Sequence, residues 1–89
     1  MYVWGMNLRL FHQIGSGGED SAAVRQFLVE NGLADLVEFN NVAYEGPQNE
    51  VKHLVGHVEA PVLVANGRVL RGRLAIVDWL KTNILSLRD

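Results

Sequence analysis

The 89-residue sequence contains no cysteine. Without cysteine the chain can form neither a disulfide nor a reactive thiolate, and a zinc site would have to rely on histidine and carboxylate ligands. Its eight basic residues are scattered among ten acidic ones, so the basic stripe of a nucleic-acid-binding protein is missing. The apolar runs also fall far short of the roughly 20 residues that cross a bilayer.

The remaining composition is that of a small globular protein. Hydrophobic residues make up 48% and charged residues 20%, and there are only two prolines, which is not a disordered composition. Residues 1–7 lack the charged and apolar regions of a secretory signal peptide. We therefore expect a cytoplasmic protein with a single domain at residues 8–89. The apolar residues of the preceding N-terminal arm (1–7) either pack back on this domain or contact a partner.

Apolar periodicity, interrupted by glycine and proline, predicts four strands and three helices. The predicted strands cover residues 8–13, 36–42, 61–65 and 68–70. The predicted helices begin near Asp20 or Ser21, after Pro47, and near Gly72 or Arg73. Asn66-Gly67 is a strong signal for a type I′ hairpin between the third and fourth strands. The order β-α-β-α-β-β-α predicts an α/β fold, in which a four-stranded mixed sheet carries helices on both faces.

The apolar stripes also predict the core. Val51, Leu54, Val55 and Val58 follow the i, i+3, i+4, i+7 pattern of a buried helix face. Similar stripes occur in the first and last predicted helices. From these stripes and the third strand, we expect the core to include Phe27, Leu54, Val62 and Leu80.

Two motifs in the second half of the chain are more specific than the order of the elements. Glu59-Ala60-Pro61-Val62-Leu63-Val64 is followed by Asn66-Gly67-Arg68-Val69-Leu70-Arg71-Gly72-Arg73 and then by Leu74-Ala75-Ile76-Val77-Asp78-Trp79-Leu80. In order and spacing they resemble the cis-proline strand, the hairpin and the last helix of the glutaredoxin and thioredoxin-like superfamily, which includes the N-terminal domain of glutathione transferases. The resemblance implies a thioredoxin (glutaredoxin-like) fold with a cis Ala60–Pro61 bond.

The resemblance also shows what the chain has lost. Glutaredoxins carry C-x-x-C or C-x-x-S at the start of the first helix, and that window falls on Gly18-Glu19-Asp20-Ser21 here. Gly18 takes the place of the nucleophile and Ser21 that of the resolving residue. Thiol–disulfide exchange needs a thiolate, which a serine hydroxyl does not replace at neutral pH. Glu19 and Asp20 would also repel a thiolate, which cationic neighbours stabilise.

The glutathione groove of the superfamily is only partly matched. In the family the cis-proline segment pairs with the glutathione backbone, and the start of the last helix binds its glutamyl carboxylate. Pro61 and the Gly72-Arg73 amides match these positions, whereas the acid–serine pair of glutathione transferases and the glutaredoxin aspartate are replaced. The candidate groove therefore comprises Ser16, Gly18, Ser21, Ala60, Pro61, Gly72 and Arg73.

Several of these residues have an ordinary structural interpretation beside the functional one. Ser16 and Ser21 could hydrogen-bond a bound thiolate, but serine is a preferred helix cap, and we favour a loop serine and an N-cap. The loop Gly15-Ser16-Gly17-Gly18 lacks the G-K-[ST] ending of a phosphate-binding loop, which favours a flexible turn.

The basic residues leave two further questions. His53 and His57 are four residues apart, but a zinc site usually needs three or four ligands, so we favour solvated histidines and expect no metal. Arg71 and Arg73 flank a helix N-terminus. They form either an anion pocket or a pair of surface arginines.

Together these features favour binding over catalysis. We expect a non-catalytic, redox-inactive glutaredoxin-like domain that binds a protein partner or a small anionic ligand, similar in class to the SH3-binding glutamate-rich-like proteins. The alternative is a glutathione-binding, glutathione-transferase-like protein. A third interpretation, a redox protein with cysteine replaced by serine, is disfavoured by Glu19 and Asp20. We expect no cofactor other than glutathione, no catalytic residue, and neither nucleic acid nor membrane as partner.

The absence of cysteine predicts that the pure protein does not reduce a small mixed disulfide in the presence of glutathione. The reason is that no side chain of the chain can supply the attacking thiolate. The measurement is turnover in a coupled assay, with a glutaredoxin as the positive control. Turnover that co-purifies with the protein would contradict this prediction.

Overall fold

A computed structural model describes residues 7–86 of the chain. Within them lie four strands and three α-helices, which are β1 (Leu8–His12), α1 (Glu19–Glu30), β2 (Val37–Asn41), α2 (Glu45–Val55), β3 (Val62–Ala65), β4 (Arg68–Arg71) and α3 (Arg73–Leu80). A 3₁₀ turn at Ala34–Leu36 precedes β2, and one π-helical turn at Lys81–Leu85 continues α3. The prediction for the N-terminal arm falls, except for Asn7, outside the described residues.

The sheet has the predicted mixed character. Its strand order is β2-β1-β3-β4. β1 runs parallel to β2 and antiparallel to β3, and β3 and β4 form the antiparallel hairpin predicted from Asn66-Gly67. The positive φ of both hairpin residues, 53° at Asn66 and 88° at Gly67, suits the predicted type I′ turn.

Two apolar clusters form on opposite faces of the sheet because successive strand residues point to opposite sides. Leu10 and Leu63 pack with α1 and α3 on one face. Phe11 and Val62 pack with Val51 of α2 on the other. The α/β fold with a four-stranded mixed sheet and helices on both faces is thus confirmed.

The predicted core is right for two residues and wrong for one. Val62 and Leu80 are fully buried, and Phe27 is partly buried against the first cluster. Leu54, however, is 38% exposed, as is Val58. The line of α2 that faces the sheet is Val51 and Val55, which leaves Leu54 on the flank of the helix. Val58 lies beyond the end of α2, so the predicted stripe does not extend to it.

The start of α2 also differs from the prediction. The second helix is predicted to begin after Pro47, whereas α2 begins at Glu45 and contains Gly46 and Pro47 in its first turn. A proline is tolerated there because the N–H groups of the first turn have no acceptor within the helix. Smaller shifts occur elsewhere, since β1 ends at His12, β2 begins at Val37 and the regular part of α3 ends at Leu80.

The two leucines give a matched test of the core. Leu80→Ala should lower the free energy of unfolding by about 2–5 kcal/mol, because it removes a fully buried side chain and leaves a cavity. Leu54→Ala should lower it by less than half as much, because solvent already reaches this side chain. Chemical denaturation of both variants measures the difference. Equal losses would show that the assignment of the two helix faces is wrong.

Candidate functional site

A surface cavity of about 460 Å³ lies where β4 turns into α3 and α1 begins. Its walls are formed by Asp20, Arg71, Gly72, Arg73, Leu74 and Ala75. The turn depends on Gly72, whose φ of 90° and ψ of 154° are accessible to glycine but not to other residues without strain. Two of the residues predicted for the groove, Gly72 and Arg73, therefore lie in one cavity.

The start of α3 is open on this side. No side chain among the described residues caps the helix. The Ile76 N–H donates to the Gly72 carbonyl at 3.1 Å, so the earlier N–H groups of the first turn have no acceptor within the helix. Such N–H groups carry the partial positive charge of a helix N-terminus and can bind an anion. Leu74 and Ala75, which contribute two of these groups, line the cavity.

The two arginines at the cavity differ in how firmly they are held. Arg71 forms two hydrogen bonds to Glu59, at 2.8 and 2.6 Å, and Glu59 also lies 2.7 Å from His57 Nε2. The hydrogen bonds from Arg71 hold the pKa of the Glu59 carboxyl below its usual range. Arg73 lies 3.8 Å from Asp20, and both side chains are about half exposed or more. Arg73 is therefore the arginine that is available to a ligand.

Pro61 does not line the cavity but is hydrogen-bonded to Gly72, which does. The Ala60–Pro61 peptide bond is cis, as predicted from the sequence. The Pro61 carbonyl accepts a hydrogen bond from the Gly72 N–H at 3.1 Å, which places the proline segment beside the start of α3. Ala60 is half-buried and packs against the apolar cluster under α2. The structure thus brings Pro61, Gly72 and Arg73 together.

Three predicted groove residues, Ser16, Gly18 and Ser21, lie outside this cavity and have contacts within the fold instead. Ser21 is only 1% exposed, and its hydroxyl accepts a hydrogen bond from the Gln13 N–H at 3.0 Å. The predicted capping role of Ser21 is wrong, because α1 begins two residues earlier and Gly18 occupies the N-cap position. Ser16 is exposed, and its carbonyl accepts a hydrogen bond from the Gln13 side chain. None of these three residues lines the cavity at α3.

Gly18 occupies a position with no room for a side chain. A Cβ atom built there would lie 2.7 Å from the Gln13 carbonyl oxygen and 3.1 Å from that of Gly15. The Gly18 N–H also donates to the Gly15 carbonyl at 2.9 Å, which closes the turn before α1. A side chain at this position would therefore overlap main-chain atoms of the preceding loop.

Sequence reasoning missed the buried His12 at the end of β1. It is 6% exposed, and its Nδ1 lies 3.1 Å from Nη1 of Arg25, which also donates to the Gln13 carbonyl at 2.8 Å. Since arginine can only donate, Nδ1 of His12 accepts and the ring is neutral. Burial lowers the pKa of His12, and the charge of Arg25 lowers it further. His12 belongs to no motif and to no apolar stripe of the sequence, so nothing there indicated that it is buried.

A second cavity, of about 330 Å³, opens at the carboxyl ends of β1 and β2. Apolar and amide side chains line it, among them Gln13, Ile14, Gln48 and Val58. None of the described residues that line it is charged, so its chemistry is less specific than that of the cavity at α3. No group of three histidine or carboxylate side chains within residues 7–86 is arranged to hold a metal ion.

Comparison with protein-family models and with curated proteins finds no match. Among the described residues, no helix has both the length and the apolar character needed to span a bilayer.

The steric restriction at Gly18 predicts that Gly18→Ala lowers the free energy of unfolding by about 1–3 kcal/mol, the usual cost of overpacking. Gly46→Ala is the matched control. Gly46 lies in the first turn of α2 with no atom within 4 Å of a Cβ, and alanine is a better helix former. The control should be neutral or stabilising in thermal or chemical denaturation. A stable Gly18→Ala variant would show that the loop adopts another conformation.

Proposed function

We propose that this chain is a redox-inactive domain of the thioredoxin (glutaredoxin-like) fold that binds an anionic group at the start of α3. The order of the elements and the mixed sheet support the fold assignment. The cavity at the start of α3 supports the binding role. The anionic group belongs either to a small ligand or to a carboxylate of a protein partner.

One observation carries the proposal, namely that an uncapped helix N-terminus and Arg73 line the same cavity. The free N–H groups of the first turn of α3 supply directed donors, and the guanidinium of Arg73 supplies a full charge. Asp20, at 3.8 Å from Arg73, offers only a loose ion pair across an exposed cavity, which a better placed carboxylate can displace.

The same cavity supports binding rather than catalysis. Its titratable side chains are Asp20, Arg71 and Arg73, and none of them is an activated nucleophile. The nearby position of a superfamily nucleophile is closed at Gly18. Buried His12 has its Nδ1 engaged by Arg25 and does not line the cavity.

Glutathione is the second candidate and a more specific one. It is favoured by the hydrogen bond between the Pro61 carbonyl and the Gly72 N–H. This contact sets the cis-proline segment beside the start of α3, the two parts of the chain that bind glutathione in the superfamily that this sequence resembles. A general anion would need only α3, whereas glutathione would also pair with the main chain around Ala60.

The proposal predicts that glutathione and succinate, added separately to the ¹⁵N-labelled protein, shift the amide signals of residues 72–75. Arg73→Gln should weaken binding about tenfold, since it removes one charge-assisted hydrogen bond. Arg68→Gln removes the same charge from the exposed start of β4, outside the cavity, and should leave binding unchanged.

The pattern of shifts also separates the two candidates. Glutathione-type binding should add shifts at Ala60 and Val62 that succinate does not produce. Shifts confined to α3 with both ligands would support a general anion site. If neither ligand moves the signals of residues 72–75, or if the two arginine variants lose affinity equally, the proposed site is wrong.

A further inference from the structure

β2 forms one edge of the sheet, and the main-chain groups of alternate residues in it point outward. The Val42 N–H donates to the His12 carbonyl at 2.9 Å, and His12 is aligned with Asn41 in the parallel ladder. Because both main-chain groups of a strand residue point the same way, residues 38, 40 and 42 face β1. Val37, Phe39 and Asn41 therefore direct their N–H and C=O groups to the open edge.

Two of these six groups are already bonded within the chain. The Val37 N–H donates to the Ala34 carbonyl, and the Asn41 carbonyl accepts from the Tyr44 N–H at 3.1 Å. The other four have no hydrogen-bond partner within residues 7–86. They are the Val37 carbonyl, both groups of Phe39 and the Asn41 N–H.

We propose that this edge pairs with the same edge of a second copy of the chain. In an antiparallel pair centred on a two-fold axis at Phe39, each Phe39 lies opposite Phe39 of the other copy and exchanges two hydrogen bonds with it. Val37 then lies opposite Asn41 of the other copy. The free Asn41 N–H meets the free Val37 carbonyl, and the two groups already bonded within each chain face one another. The pattern of free and used groups is thus self-complementary.

The side chains fit the same register. Glu38 lies opposite Asn40 of the second copy rather than another carboxylate, and Arg9 already neutralises it at 3.0 Å. Within one chain the Asn40 amide donates to Glu38 at 3.0 Å, so the same pair of groups can bond across the axis. On the opposite face Phe39 is 38% exposed, and two such rings at the axis form an aromatic cross-strand pair.

The other edge of the sheet lacks these properties. β4 begins and ends with arginine, at Arg68 and Arg71, and charged side chains of this kind protect an edge against pairing. Pairing β2 with β4 of another copy would also be heterologous and could continue without closing, whereas β2 with β2 closes as a dimer.

A concentration series of the wild-type chain tests the proposal without any substitution. As the concentration rises, sedimentation should report a doubling of mass. Hydrogen exchange should become slower at the Phe39 and Asn41 amides, while the Val37 amide, already bonded to Ala34, stays unchanged. A monomeric mass at every concentration, or a dimer without protection at Phe39, would overturn the proposal.

Two substitutions at the axis separate main-chain pairing from side-chain contact. Phe39→Pro removes an N–H that points away from β1, so the sheet itself keeps its ladder while the dimer is lost. Phe39→Val keeps the N–H and should retain the dimer. Circular dichroism must first show that the Phe39→Pro variant is folded. If this folded variant dimerises as well as the wild type, the edge is not the interface.

The absence of cysteine allows a direct test of the register. Glu38→Cys and Asn40→Cys, mixed in equal amounts and oxidised, should form the mixed disulfide in excess of either symmetric one. The reason is that positions 38 and 40 form a non-hydrogen-bonded pair with Cα atoms about 4.5 Å apart, within the range of a disulfide. A statistical mixture of the three disulfides would overturn the register.

Discussion

The pairing of β1 with two neighbours of opposite direction determines where the rest of the molecule lies. Parallel pairing with β2 requires a crossover, which α1 supplies, and places the ends of β1 and β2 at one edge of the sheet. Antiparallel pairing with β3 aligns Phe11 with Val62, and Val62 in turn aligns with Arg71 of β4. The loop after β1, the proline segment before β3 and the glycine turn after β4 therefore meet where these strands end, on the same side of the sheet. The directions of the strands thus determine where the cavity at α3 lies, and the side chains determine its chemistry.

The arginines of the sheet and of α3 differ in how firmly carboxylates hold them. Arg9 in the middle of the sheet holds Glu38 of β2 and Glu50 of α2, which ties the edge strand to the helix packed beside it. Arg71 is held by Glu59 through two hydrogen bonds. Within residues 7–86, Arg73 has by contrast only a longer contact with Asp20. Of the two arginines at the cavity, the one at the start of α3 is thus the less firmly held.

Much of the architecture could be predicted from the sequence because it depends on local signals. Asn66-Gly67 identifies a hairpin, and the glycine at position 72 identifies a turn into a helix. What could not be predicted depends on neighbours distant in sequence. Leu54 fits the apolar stripe of α2 but lies on its flank, since the sheet beneath accommodates only Val51 and Val55. Ser21 is of a residue type that often caps helices, but its side chain is buried and accepts a hydrogen bond from the Gln13 N–H.

Candidate site residues show the same division. Pro61, Gly72 and Arg73 were found because a motif links them, and the structure brings them together. The closed position at Gly18 was not found, since glycine in a sequence does not reveal whether it serves backbone freedom or lack of space. His12 was not found either, because its surroundings come from α1 and β2 and leave no pattern in the sequence around it.

The buried neutral ring of His12 links folding to proton uptake. Its pKa lies below the ordinary value of 6.5, chiefly through burial and then through Arg25, whereas an unfolded chain exposes a histidine of ordinary pKa. Above pH 6.5 neither state holds the proton, and the histidine has no effect on stability. As the pH falls below 6.5 the unfolded chain takes up a proton that the folded one resists, so the folded state loses stability. The histidine responsible for this loss lies at the end of β1, the strand that pairs with both β2 and β3.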